Sequence, residues 1–335
     1  MFKKSIFLLL LAFSWLISAE KINGAGATFP APLYYDWAFA YQKASSVNIN
    51  YQAIGSGGGI KQIAARTVDF GASDEPLKPK ELEEKKLLMF PAAIGSIVLA
   101  HNIPEIKDNE LKLSNSVLAD IFMGKITHWN DPKIKADNKN LNLPNKQITT
   151  VHRSDGSGTT YNFTYYLSNI SKAWDDEIGT GKAISWPNGF GGKGNEGVTN
   201  LIKQTPYSIG YIEYAYKVKN NLSAAVLQTK SGKWVEAKEE NFKASAKHAN
   251  WTAKDHFYEL LALQPGDNSY PIVAATFILL PKEKQSVNKS VTAFFDYAFS
   301  NGDTSAAKLG YIALPKETKD MIRAYWKEQN ILPAK

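Results

Sequence analysis

The chain of 335 residues has no cysteine, only five histidines and four methionines, and no apolar run of membrane-spanning length after its first twenty positions. Without cysteine there are no disulfides, thiol nucleophiles or zinc-thiolate sites, and no lipid can be attached to an N-terminal cysteine. The histidines (His101, His128, His152, His248 and His256) show no HExxH or other metal-ligand spacing, and no acid cluster suggests a two-metal centre. Basic residues are not massed anywhere. The net charge of +7 is scattered along the chain, which favours a solvated, mildly basic surface over nucleic-acid binding. Internal repeats and low-complexity tracts are also missing.

What is present begins at the N-terminus. Lys3 and Lys4 precede a mostly apolar stretch from Ile6 to Ile17, and Ser18 and Ala19 supply small residues before Glu20. This is the pattern of a cleaved secretory signal covering residues 1–19, although Ile17 is large for the position three before the cut, so the cut is expected close to Ala19 rather than fixed there. The run is shorter than the roughly 20 apolar residues of a membrane helix. An exported chain with neither membrane helix nor lipid anchor is expected to diffuse in a periplasm. Loss of two lysines lowers the net charge from +7 to +5, since residues 1–19 hold no acid. About 316 residues remain, enough for two domains at roughly 100 to 200 residues each.

Strand-like and helix-like segments alternate, as in layered α/β folds. Val47, Ile49, Tyr51 and Ala53 recur at period two and stop at Gly55. Ile60, Ile63, Ala64 and Thr67 then recur at helical spacing, and Val68 to Gly71 reads as the next strand. Phe90–Ile103 and Pro271–Leu280 are long extended runs suited to strands passing between two domains, and both are hinge candidates. Further helices are expected around Val117–Phe122, from Thr159, around Val287–Ala298 and around Met321–Trp326, with strands at Ile148–Val151 and Ile209–Ile212. Lys230 to Lys233 reads as a hairpin turn.

Three loops carry donors suited to an oxyanion. Gly24 to Pro30 precedes a helix expected near Pro32, where proline's missing N–H is harmless, so the N–H groups of Thr28 and Phe29 and the Thr28 hydroxyl either face an anion or simply cap the helix. Gly55-Ser56-Gly57-Gly58-Gly59 is read as a concave nest of N–H groups before a helix from Ile60, with Ser56 as either an anion donor or an N-cap. Arg153-Ser154-Asp155-Gly156-Ser157-Gly158-Thr159-Thr160 joins a guanidinium fork to hydroxyls and N–H groups at a helix start. Asp155 either holds Arg153 or caps that helix.

A fourth loop has the wrong charge for plain anion binding. Asp74, in Gly71-Ala72-Ser73-Asp74-Glu75-Pro76, would repel an oxyanion unless the ligand has a proton to donate. Phosphate near neutral pH has one and sulfate has none, so Asp74 is either a selective acceptor or a solvated acid before a proline.

Taken together, the segments GAGATFPAP, YQAIGSGGGIKQI, TVDFGASDEPL, RSDGSGTT, FGGKGNEG, SIGYIEYAY and TFILL resemble the periplasmic phosphate-binding protein of bacterial phosphate ABC transporters, in order and over nearly all of the chain after residue 19. The resemblance implies a type II periplasmic-binding-protein fold: two α/β lobes joined by paired hinge strands, with dehydrated phosphate hydrogen-bonded in the cleft. The expected division is 20–99 with 276–335 as lobe I and 100–275 as lobe II. By position it implies ligands at Ala27, Thr28, Phe29, Ser56 and Asp74 in the first lobe and at Arg153, Ser157, Gly158 and Thr159 in the second. Asp74 would accept the phosphate proton and Asp155 would orient the arginine. Gly57 stands where the family often has a second serine, which removes one hydroxyl near the rim. The expectation includes a monomer that delivers phosphate to an inner-membrane ABC permease, without cofactor, metal or nucleic acid.

The alternatives are a binding protein for another oxyanion or a phosphate ester, and a phosphate-ester hydrolase. Ser157 lies in no GxSxG elbow, and His152 is expected on the far face of its strand, so the site is read as non-catalytic. Gly189 to Asn195 lacks nucleotide-loop spacing and reads as structural. Trp37, Trp186 and Trp251 are read as core rather than sugar-stacking surfaces.

Overall fold

The computed structural model describes residues 21–333, so the expected signal segment lies outside the described residues. The period-two and helical spacings become β1 (Lys21–Gly26), α1 (Ala31–Ser45), β2 (Asn48–Ala53), α2 (Ser56–Ala64), β3 (Phe70–Ser73) and α3 (Pro79–Lys85), followed by the long β4 (Leu87–His101). After β4 come α4 (Asn115–Phe122), α5 (Pro132–Asp137), β5 (Thr149–Arg153), α6 (Gly158–Ile170), α7 (Lys172–Glu177), β6 (Phe190–Gly192), α8 (Gly194–Gln204), β7 (Ser208–Glu213) and α9 (Tyr214–Lys219). Then follow the short β8 (Ser223–Ala224), β9 (Leu227–Gln228) and β10 (Trp234–Val235), and α10 (Glu239–Ala246). The chain returns through β11 (Val273–Pro281) and ends in α11 (Gln285–Asn301), α12 (Asp303–Lys308) and α13 (Lys316–Glu328).

Among the described residues one nine-stranded sheet runs in the order β2-β1-β3-β11-β4-β7-β5-β6, with β8 also on β4. Pairing is parallel within β2-β1-β3 and within β7-β5-β6, and antiparallel at β3-β11, β11-β4 and β4-β7. The sheet therefore has two α/β halves joined through β4. From Leu87 to Ser96 that strand pairs with β11, and from Ile97 to His101 it pairs with β7. Ile97 N–H donates to Ile272 O just before β11 begins, so the second passage between halves lies beside the first. All fifteen residues of β4 are buried, which matches its mostly apolar sequence, interrupted only by Ser96 and ending in His101. Pro91 is accommodated because the β4-β11 register shifts between Thr276 and Phe277, and a bulge tolerates a residue with no N–H.

Each half has its own aromatic core. In the first, Phe295 meets Tyr34, Phe70 and Phe90 edge-on at 5.6 to 5.8 Å between ring centroids. Removing such a ring costs about 3 to 5 kcal/mol. In the second, Tyr211 stacks on Phe163 at 4.4 Å and on Trp186 at 5.6 Å, and Phe122 packs on Phe163 at 4.9 Å. Trp37 and Trp251 are buried, and Trp186 is packed against the core. The expected hairpin at Lys230–Lys233 joins β9 to β10, with Gly232 at φ +81. Met321, expected on the apolar face of α13, is instead partly exposed, while Ile322, Tyr325 and Trp326 are buried.

One local expectation is corrected. The glycines after Ser56 are not a loop before a helix, because α2 already begins at Ser56 and Gly57 to Gly59 form its first turn. Close approach explains them. A Cβ on Gly59 would lie 2.5 Å from Gly26 Cα and 2.7 Å from Ala72 O, so only glycine lets α2 press its first turn onto β1 and β3.

Candidate functional site

Four loops converge at the strand ends where the two halves face each other. Gly26 to Pro30 leads from β1 to α1, and Ser56 opens α2. Asp74 follows β3, while Arg153 to Thr159 links β5 to α6. Thr28, Ser56, Asp74, Arg153, Ser157 and Thr159 are all polar and all at most 7% exposed. That much buried polarity requires hydrogen-bond partners, and most of them are identifiable.

The halves touch directly. Gly158 N–H donates to Ser56 Oγ at 3.0 Å and Gly57 N–H donates to Gly156 O at 2.8 Å. Asn162 Nδ2 donates to Asp74 O at 2.7 Å, and Tyr216 Oη donates to Thr28 O at 2.6 Å. Tyr311 Oη donates to Phe29 O at 2.6 Å and lies 3.0 Å from the Glu213 carboxylate, tying the first loop to β7. At the rim, Lys182 Nζ is 2.9 Å from Glu75. Beside Asp155 a cavity of about 260 Å³ is lined from both halves by residues including Thr28, Tyr35, Glu196 and Tyr216.

Arg153 has its side chain 1% exposed and is gripped by Asp155 through Nε to Oδ1 at 2.8 Å and Nη2 to Oδ2 at 2.5 Å. Asp155 also accepts from Gly194 N–H at 3.0 Å. Burial pushes the Asp155 carboxyl up, but the Arg153 guanidinium overrides this and leaves it below the usual carboxylate range. Asp155 therefore neutralises the arginine and fixes its plane. The α6 cap is a different residue, Ser157, whose Oγ accepts from Thr160 N–H at 3.0 Å.

Asp74 behaves in the opposite way. Burial pushes its carboxyl up to about 7, against the pull of the nearby Thr276 hydroxyl, Arg153 and Ser56. Its Oδ2 is 3.4 Å from Ser56 Oγ, while Oδ1 has no hydrogen-bond partner among the described residues. A buried acceptor left open amid donors is costly unless something with a hydrogen meets it.

Not every expected residue presents a polar group here. Ala27 N–H donates to Ala72 O at 2.9 Å, and Ala27 O accepts from Tyr51 Oη at 2.7 Å, so Ala27 lines the loop with both backbone groups engaged. Ser157 N–H goes to Lys182 O and Gly158 N–H to Ser56 Oγ, which makes Gly158 a positioner of Ser56. Thr28, Phe29 and Thr159 keep N–H groups with no protein acceptor among the described residues. Ser56 is not an N-cap, since Gly55 with φ +88 holds that position. His152 stacks on Trp186 at 4.9 Å, turned from the site as expected.

Two contributors went unrecognised in the sequence. Asn162 bridges Asp74 O and Gly158 O, and Asn195, read as part of a structural loop, is fully buried between Thr28 and Thr159. An asparagine one residue after a glycine at the start of α8 was the available signal.

A match to the PBP superfamily domain covers residues 17–302. The phosphate-binding protein PstS of Haemophilus influenzae is 49% identical over 329 residues, covering 98% of each chain. The phosphate-binding protein PstS of Methanocaldococcus jannaschii is 40% identical over 324 residues, covering 88% of this chain and 83% of its own. Among solved structures, a high-affinity periplasmic phosphate-binding protein bound with phosphate superposes with a TM-score of 0.72 at 18% identity, over 94% of this chain and 99% of that one. A phosphate-binding protein from Stenotrophomonas maltophilia gives 0.65 at 19% identity, over 91% and 94%. With the family match spanning most of its length and relatives this similar end to end, the chain belongs to the PBP superfamily and, within it, to the phosphate-binding proteins PstS.

Proposed function

We propose that this protein captures inorganic phosphate between its two lobes and delivers it to the membrane permease of an ABC transporter, performing no chemistry on it. The observation that carries the reading is the open acceptor Asp74 Oδ1, buried among donors that suit an oxyanion. Monohydrogen phosphate matches that set, with three bare oxygens for the donors and one hydroxyl for the carboxylate. The ligand residues are Thr28, Phe29, Ser56, Asp74, Arg153, Ser157 and Thr159, with Asp155 orienting the arginine and Gly158 setting Ser56. Arg153 supplies the cation, and neutral hydroxyls and N–H groups supply the rest.

The lobe division proposed is 20–99 with 276–335 against 100–275. The change of partner within β4 at Ser96 and Ile97 supports a hinge near the first boundary. Among the described residues no helix is long and apolar enough to cross a membrane. Export to the periplasm through a signal at residues 1–19, and a monomeric state, complete the proposal.

Calorimetry on ligand-stripped protein tests it. Phosphate is expected to bind tightly, and sulfate is expected not to compete at about pH 8, where phosphate still carries a proton to donate. Equal competition by sulfate would remove the selectivity argument, and no heat with phosphate would remove the function itself.

A further inference from the structure

Asn195 lies in the first turn of α8, fully buried, where it touches residues of both lobes. Its amide orientation is fixed by a group that can only donate, because Glu213 N–H donates to Asn195 Oδ1 at 2.9 Å. Nδ2 must then face the other way. It donates to Thr28 Oγ1 at 3.0 Å and to Thr159 Oγ1 at 3.1 Å, one hydrogen for each.

Each threonine oxygen also accepts a second bond. Thr28 Oγ1 takes Asn195 N–H at 3.1 Å, and Thr159 Oγ1 takes Arg153 Nη1 at 3.2 Å. A hydroxyl has two lone pairs and one hydrogen, so on both threonines the acceptor capacity is filled and only the hydrogen remains. Among the described residues neither hydrogen has a protein acceptor.

We propose that Asn195 is a positioning residue that fixes the Thr28 and Thr159 hydroxyls as obligatory donors toward the bound anion. The inference rests on the phosphate-binding reading and deepens it, since it assigns how a hydroxyl that can face either way is made to face one way. A hydroxyl locked as donor favours a bare phosphate oxygen and rejects a P–OH. Asp74 is then left to receive the ligand's proton, so the site selects the monohydrogen over the dihydrogen form. The charged and titratable groups around Asn195 are Lys193 and Glu196 at the start of α8, Arg153 on β5, Asp155 bonded to Gly194, Glu213 on β7 with Tyr311 bonded to it, Tyr216 bonded to Thr28 O, and Asp74 across the cleft. None of their side chains hydrogen-bonds the Asn195 side chain, so wild type and the neutral Asn195→Ala compared at each pH isolate its contribution.

The experiment is phosphate calorimetry on ligand-stripped wild type, Asn195→Ala and Asn195→Asp, each alone and combined with Thr28→Val and Thr159→Val. Asn195→Ala is expected to weaken binding about 10- to 100-fold at about pH 8.5 and by less at about pH 5.5, because freed hydroxyls can accept from dihydrogen phosphate. Asn195→Asp keeps the bond from Glu213 N–H but turns both hydroxyl hydrogens toward its carboxylate, so it is expected to bind more weakly than Asn195→Ala. In the double-valine background Asn195→Ala should add little further loss. Equal losses at both pH values, or a full additional loss in that background, would overturn the assignment. Should Asn195→Ala fold poorly by thermal melting, the similarly sized and uncharged Asn195→Leu decides, since an equal loss with and without the threonine hydroxyls would refute the idea. Wild type that ignores phosphate would refute the function instead, which keeps the two failures apart.

Discussion

Replacing Asp74 by asparagine probes the carboxylate proposed to face the anion, and the size of the effect can be worked from the surroundings. Asp74 is 1% exposed, and its Oδ1 is unpartnered among the described residues. With monohydrogen phosphate, Oδ1 accepts a charge-assisted bond worth about 1.5 to 3 kcal/mol. With sulfate the same oxygen faces another acceptor and stays unsatisfied, at a cost of about 1 to 3 kcal/mol. Both ligands carry two negative charges at about pH 8, so repulsion by the carboxylate is nearly common to them and drops out of the ratio. The difference is about 2.5 to 6 kcal/mol, or roughly a hundredfold to ten-thousandfold preference for phosphate. In Asp74→Asn the amide can turn its NH2 toward either anion, so sulfate gains a donor and the preference should fall at least about a hundredfold. The assay is competitive calorimetry of both ligands against wild type and variant near pH 8, above the value of about 7 to which burial pushes Asp74. A ratio within about threefold of wild type would refute the reasoning, because the carboxylate would not be the selector.

Other consequences follow from the same geometry. Because its closed-state carboxyl titrates near 7 rather than 3.8, Asp74 favours the fold fully below about pH 4 and loses that contribution as pH rises through 7. Ligand-free Asp74→Asn should therefore be more stable than wild type at about pH 8, by at most about 4 kcal/mol, and no more stable at about pH 4. Thermal melting at the two pH values checks it. A Cβ on Gly158 would lie 2.5 Å from Ser56 Oγ and 2.6 Å from Asp74 Cβ, so Gly158→Ala should hold the lobes apart and weaken phosphate binding by about tenfold or more. Scattering measurements of compaction on adding phosphate would detect the blocked closure. Arg153→Lys keeps the charge but cannot reproduce the fork to Asp155 or the reach to Thr159, so its affinity by calorimetry should drop about 10- to 100-fold.

Much of the fold can be read from the amino-acid sequence, for reasons that differ from residue to residue. The apolar runs around β4 and β11 are long because those strands are buried on both faces at the centre of the sheet, and that leaves an unmistakable trace in sequence. Loops at helix starts were legible because anion donors there need small, hydroxylated or glycine residues. The three glycines after Ser56 are ambiguous in sequence, since glycine serves both for a nest of N–H groups and for close helix packing. Only the 2.5 Å approach to Gly26 tells them apart. Ala27 carries no side-chain signal, and whether its N–H faces a ligand or Ala72 depends on strand pairing that is set by residues far along the chain. Asn195 was hidden for a related reason. Its partners Thr28 and Thr159 lie far from it in sequence, in different lobes, and nothing local distinguishes an asparagine that orients hydroxyls from one that ends a loop.

The assignment of acceptors and donors explains why a mildly basic protein needs only one arginine in its site. A second cation would strengthen attraction to any dianion alike and would pull the Asp74 carboxyl down, making it a permanent anion at every working pH. Neutral donors hold oxygens by direction instead of by charge, and direction is what separates a P–OH from a bare oxygen. Asp155 keeps the single arginine from acting as an isolated charge, pairing with it through both nitrogens while Nη1 remains on Thr159. Under the proposed assignment the site would distinguish its ligand by one hydrogen, because the groups around that hydrogen have their polarity set by neighbours: Arg153 by Asp155, the two threonines by Asn195 and Arg153, and Ser56 by N–H groups from Asp74 and Gly158.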